Sequence, residues 1–183
     1  YDPGEVMAIN EARAYHSFQV KTFSETAADL VTALTMTNVE EAIGITMAAQ
    51  EYDMPVVIAF TVETDSKLPS GETLKQAIEA VDQATDHGPA YYMINCAHPT
   101  HFQSTLATDE SWIKRLRGIR ANASCLSHAE LDEAEELDAG NPTELGHQLA
   151  ELRKRHPQIS VLGGCCGTDH RHIAEIANSC KAA

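Results

Sequence analysis

Three cysteines carry the chemistry this sequence is equipped for. Gly163-Gly164-Cys165-Cys166-Gly167 sets two of them side by side among glycines, and Asn95-Cys96 closes an apolar, strand-like run earlier in the chain. Soft sulfur donors suit zinc, which takes four ligands in a tetrahedron, so three protein thiolates leave the fourth position for a substrate thiol. A free thiol titrates near pH ~8.5 and is mostly protonated at neutrality, whereas a metal-bound thiol is held as thiolate. The chemistry in view is alkylation of a thiol. Other readings stand beside it: a closed structural zinc site, plain burial of Cys96 as a small apolar residue, or a redox switch made from neighbouring thiols.

Histidines flank the same segments. His98 and His101 follow Cys96, and His170 and His172 follow Cys166, so a mixed Cys and His site is conceivable, with room for one more ligand beside three sulfurs. His98 is expected to line the pocket, ahead of His170, or to be an ordinary loop histidine. Asn95 is expected either to bond a substrate group or to fix the strand end. Cys125 and Cys180 lack such context and read as packing or surface residues.

Elements that position these residues are legible in the apolar pattern. Runs at 28–36, 55–62, 90–97 and 159–163 are apolar on both faces, as strands buried on two sides are, with a weaker fifth at 118–123. Helical patterns occupy 39–52, 73–85, 110–116 and 142–155, the last opened by Asn141 and Pro142. A further helix follows Gly167, capped by Thr168 or Asp169. The acidic run 130–138 reads as a solvated helix face. Alternating strands and helices specify a parallel α/β sheet, in which ligands gather at the carboxyl ends of the strands. Cys96 and Cys165 both fall at such ends. Adjacent side chains on a strand point apart, so Cys165 and Cys166 converge only if the backbone turns there, which Gly163, Gly164 and Gly167 permit.

Composition narrows the class. With 27 acidic against 13 basic residues and a formal charge of −14, nucleic acid and anionic membrane surfaces are excluded as expected partners, because such binding needs clustered cations. No apolar stretch approaches membrane-spanning length. Five cysteines, one pair adjacent, fit metal binding in a reducing, cytoplasmic setting better than a disulfide scaffold. The opening Tyr1-Asp2-Pro3-Gly4 carries no secretory pattern and reads as the middle of a larger unit.

The segments AFTVETDSKLPSGETLKQAIEAVD, MINCAHPTHF, GIRANAS, SHAELDEAEELDAGNP and VLGGCCGT together resemble the homocysteine S-methyltransferase family, zinc-dependent (βα)8 barrels, over nearly the whole chain. The resemblance implies that Cys96, Cys165 and Cys166 bind Zn2+, that homocysteine adds its own sulfur, and that a small methyl donor converts it to methionine. A methyl on sulfonium or quaternary nitrogen needs no general acid on leaving, so no acid–base pair is expected. It also implies an α/β fold of parallel (βα)8 TIM-barrel type, here incomplete, with about strands four to eight present. Residues 1–183 would form one partial domain lacking its first strands, since such a barrel takes roughly 200 to 250 residues or more.

One position departs from the family pattern. Relatives end their fourth strand in a glutamate associated with the amino group of homocysteine, and Leu34 stands there. Either another carboxylate, Glu63 being the candidate, receives the ammonium, or the specificity has shifted. An incomplete barrel exposes strand edges, so self-association or pairing with the missing N-terminal part is expected, with Val31 and Ile58 left wet on the inner face. The alternative to a working methyltransferase is a non-catalytic zinc-binding fragment or subunit with an incomplete substrate pocket.

Overall fold

The computed structural model describes residues 4–182. Its centre is a sheet of five parallel strands in sequential order, β1 (Val31–Met36), β2 (Val56–Phe60), β3 (Tyr91–Asn95), β4 (Leu116–Ala121) and β5 (Val161–Gly164). Helices α1 (Ile9–Ser24), α2 (Val39–Glu51), α3 (Leu74–Thr85), α6 (Pro142–Arg155) and α7 (His170–Ala182) alternate with the strands, and the short turns α4 (Pro99–Phe102) and α5 (His128–Asp132) sit in the loops after β3 and β4. Local chemistry sets the helix starts. Asn38 accepts from Glu41 N, Thr73 and Gln76 form a reciprocal box, and Asn141 accepts from Thr143 N and Glu144 N.

Alternation divides β2 between two environments. Val56, Ile58 and Phe60 enter the main core with helix residues such as Ile43 and Ile78, while Val57, Ala59 and Met93 cluster on the other face. Ile58 is therefore fully buried, against the expectation that it would be wet, because it faces the helical layer and not the inner face. Val31 is half-buried on β1, a sheet-edge strand with one strand neighbour.

Three segments differ from the sequence pattern. Residues 9–24 are helical although only Ala12 and Val20 are buried there; exposed Tyr15 and Phe18 blur the period that would announce a helix. The 110–116 pattern yields only a 3-10 turn at Ser111–Arg115, and Leu116 already belongs to β4, too short a span for α-helical bonding before the strand begins. The acidic run is helical only to Asp132 and continues as an exposed loop, since carboxylates gathered toward a helix C-terminus oppose its dipole.

Candidate metal centre

The three cysteines meet at the carboxyl ends of two strands on either side of β4. Cys96 follows β3 directly and Cys165 follows β5 directly, with β4 between them. Cys96 Sγ lies 2.9 Å from Cys165 Sγ and 3.6 Å from Cys166 Sγ, and all three sulfurs fall within 4.8 Å of one another. Tetrahedral zinc with bonds of about 2.3 Å holds sulfurs roughly 3.8 Å apart. Both measured separations are shorter than that value, so the sulfurs need only move apart slightly to take the ion, and the soft donor set matches; these residues fit the ion. Among the described residues no other group of three ligands converges in this way.

Backbone conformation makes the convergence. Cys96 adopts φ 55°, a left-handed conformation rare outside glycine, anchored by its N–H to Arg120 O at 3.1 Å. Cys165 N donates to Ala121 O at 2.7 Å, and the chain then turns at Gly167, φ 76°, where a Cβ would stand 2.8 Å from Asp138 O. Gly164 serves differently from expectation. Its φ is not positive; a side chain there would meet Thr168 Oγ1 at 2.1 Å.

Without a cation, the surroundings of Cys165 and Cys166 favour their protonated thiols. The hydrogen bond with Cys96, then burial, push the Cys165 thiol well up, and burial pushes Cys166 up. A divalent cation reverses that order by binding only the thiolates.

A shell of side chains holds the cysteine backbones, and the sequence pattern singled out little of it. Asn122, next after β4 and buried, donates Nδ2 to Cys96 O at 3.0 Å and accepts at Oδ1 from Cys166 N at 3.2 Å. One amide thus spans two of the three cysteines. Thr61 Oγ1 and His128 Nε2 also donate to Cys96 O, at 3.3 and 2.6 Å. His128 Nδ1 meets Glu63 Oε1 at 2.9 Å. The signals available were a polar residue ending a strand and the Ser127-to-Glu130 capping box that opens α5 at His128.

The other candidates fall as follows. Asn95 clamps Thr35, accepting from its N–H at 2.8 Å and donating to its hydroxyl at 2.7 Å; Thr35 is itself left-handed at φ 60° in the bulge that ends β1. His98 is buried, bonded through Nδ1 to Thr100 Oγ1 at 2.8 Å, and burial, then His101, push it down to about 4 against an opposing pull from Asp138. His101 donates to Cys125 O at 2.9 Å. His170 is exposed on α7, and buried His172 joins Asp169 to Ala139 O. Leu34 is 42% exposed on the edge strand. Cys125 is exposed, and Cys180 packs partly against the core. Beside Cys166 a cavity of about 350 Å³ opens, lined by Asn122, Ser124, His128 and Asp138.

The family model of homocysteine S-methyltransferases matches residues 1–180. The chain belongs to the homocysteine S-methyltransferase family. Within it, homocysteine S-methyltransferase 1 of Arabidopsis thaliana is 23% identical over 181 residues, covering 97% of this chain and 54% of that protein. The apo crystal structure of the homocysteine methyltransferase MmuM from Escherichia coli superposes with a TM-score of 0.64 at 19% identity, covering 98% of this chain and 59% of that one. The chain thus spans little more than half the length of these relatives, and its five-stranded sheet is consistent with part of a TIM-barrel-like fold. No described helix is long and apolar enough to cross a membrane.

Proposed function

We propose that this chain carries the metal-binding half of a zinc-dependent methyltransferase that moves a methyl group from a small donor to homocysteine, giving methionine in the cytoplasm. The observation that carries this reading is the convergence of Cys96, Cys165 and Cys166 at strand ends in a member of this family. Zinc bound there would hold the substrate sulfur as thiolate at neutral pH. In the transfer, a sulfur lone pair forms the new S–C bond while the donor's cationic sulfonium or quaternary nitrogen atom keeps the electron pair of the bond that breaks and so becomes neutral. The protein then has to orient the two partners in line.

Cys96, Cys165 and Cys166 are the ligands in this proposal. Glu63, held by His128, receives the substrate ammonium in place of the glutamate that Leu34 replaces. His98, held neutral by its burial and bonded to Thr100, takes the loop-histidine role ahead of pocket lining, since it is not among the residues lining the cavity beside Cys166. Asn95, with both amide ends on Thr35, takes the strand-fixing role ahead of substrate contact. The sheet represents strands four to eight of a (βα)8 barrel, residues 1–183 forming one partial domain. Its open β1 edge is completed by further strand–helix units or by self-association, a reading supported by the 54% and 59% coverage of the relatives.

A direct assay supplies homocysteine with betaine or S-methylmethionine to the reduced protein and measures methionine. Turnover that disappears in Cys165→Ala supports the mechanism; turnover retained in that variant refutes it. The exposed Leu34 favours one second reading, a non-catalytic zinc-binding unit, which predicts bound zinc with no methionine formed.

A further inference from the structure

Cys96 points its sulfur at the other two because both ends of the residue are tied down. Its N–H is bonded to Arg120 O, and its carbonyl accepts from three side chains, of which His128 gives the shortest contact, 2.6 Å against 3.0 Å for Asn122 and 3.3 Å for Thr61. With both peptide bonds fixed and φ at 55°, the Cα–Cβ direction follows. A left-handed non-glycine residue relaxes toward negative φ when its restraints loosen, and that rotation would swing Sγ away from Cys165 and Cys166.

His128 is suited to be the principal restraint. It is buried at 4% exposure. A carbonyl can only accept, so Nε2 is the donor to Cys96 O, and Nδ1 lies 2.9 Å from Glu63 Oε1. The ring is therefore held from both sides, with Glu63 projecting from the loop after β2 and His128 from the first turn of α5. The arrangement spans three strand-end loops and reaches Cys96 at its backbone carbonyl.

We propose that His128, braced by Glu63, is a positioning residue that locks Cys96 in its left-handed conformation and thereby aims its sulfur, and that it ties this ligand to the carboxylate assigned to the substrate ammonium. The proposal rests on the metal-site reading given above. Partners that orient ligands in this way typically change metal affinity by about ten- to a hundredfold when removed.

The two ring nitrogens can be separated by substitution, because a glutamine amide nitrogen reaches the Nε2 position and an asparagine amide reaches only as far as Nδ1. Cobalt titration, followed by the thiolate charge-transfer and tetrahedral bands, and zinc affinity by chelator competition are measured on His128→Gln, His128→Asn and His128→Phe. His128→Gln should keep metal affinity close to the parent value. His128→Asn and His128→Phe should lose about tenfold or more and show altered cobalt bands. Parent-like affinity and bands in folded His128→Asn and His128→Phe would overturn the proposal, as would equal losses in the glutamine and asparagine variants.

If His128→Asn and His128→Phe do not fold by circular dichroism, Glu63→Ala decides. Its site is partly exposed, and the unbraced ring should weaken metal binding by a few-fold, whereas an unchanged affinity contradicts the role. A parent protein that binds no cobalt with its thiols reduced overturns the metal reading and this inference together, a result distinct from tight cobalt binding that ignores position 128.

Discussion

At the scale of the residue, the centre depends on a cysteine in a conformation that costs free energy. Left-handed backbone is disfavoured by roughly 1–2 kcal/mol for residues with a Cβ, and Cys96 stays there at φ 55° because its N–H and carbonyl are both bonded. In the metal-free protein, Cys96→Gly should therefore be more stable than Cys96→Ala by about 1 kcal/mol, although both lose the thiol. Urea denaturation of the two reduced, metal-free variants measures the difference; an alanine variant equal to or more stable than the glycine variant would show that no strain is held there. The three cysteines that converge were legible in the sequence, since cysteines at two strand ends are residue types that announce their chemistry. Asn122, Thr61 and His128 were not, because they act on a backbone carbonyl, and bonding to backbone leaves no pattern of residue types. Glu63 was picked out by charge, but its tie to His128 depends on two loops brought together only by the fold.

At the scale of the element, parallel strands and their helices place the site. β3 and β5 deliver the cysteines, and the intervening β4 ends in the residue whose amide spans them. Periodicity located the strands well because interior parallel strands are apolar on both faces. It failed for α1, whose aromatic residues face solvent, and for 110–116, where the chain passes from a 3-10 turn into β4. Helices α6 and α7 flank β5 in the chain and pack closely. At Gly146 an added Cβ would lie 2.8 Å from the Glu175 backbone, so backbone must yield. Gly146→Ala is expected to destabilise by about 2 kcal/mol while leaving metal affinity unchanged. Thermal unfolding and zinc competition on the same sample test both halves, and an unchanged melting temperature would mean the helices separate at no cost.

At the scale of the whole molecule, stability and chemistry occupy opposite ends of the sheet. The cysteines lie beyond the carboxyl ends of the strands, whereas Asp82 on α3 joins Arg115 and Tyr92 near the amino ends of β4 and β3, with contacts of 2.8 and 2.9 Å from Arg115 and 2.8 Å from the Tyr92 hydroxyl. Burial alone would raise the Asp82 carboxyl, but the Arg115 and Tyr92 hydrogen bonds, the Arg115 charge and His87 outweigh it and hold it below the usual carboxylate range. A carboxyl lowered in the folded state adds stability above its unfolded pKa of about 3.9 and gives it up as pH falls through the folded value. Asp82→Asn should therefore cost about 3 kcal/mol at neutral pH, with the gap to the parent closing below about pH 4. A gap that stays constant down to pH 2 would contradict the ionic account.

Everything proposed for this chain turns on whether its three thiols gather one ion. The measurement that reaches this most directly is zinc per chain by elemental analysis of protein purified under reducing conditions, beside Cys165→Ala. The account predicts about one zinc per chain in the parent and a near-complete loss in the variant. A parent protein with reduced thiols and no zinc, or a variant that keeps it, would contradict the account.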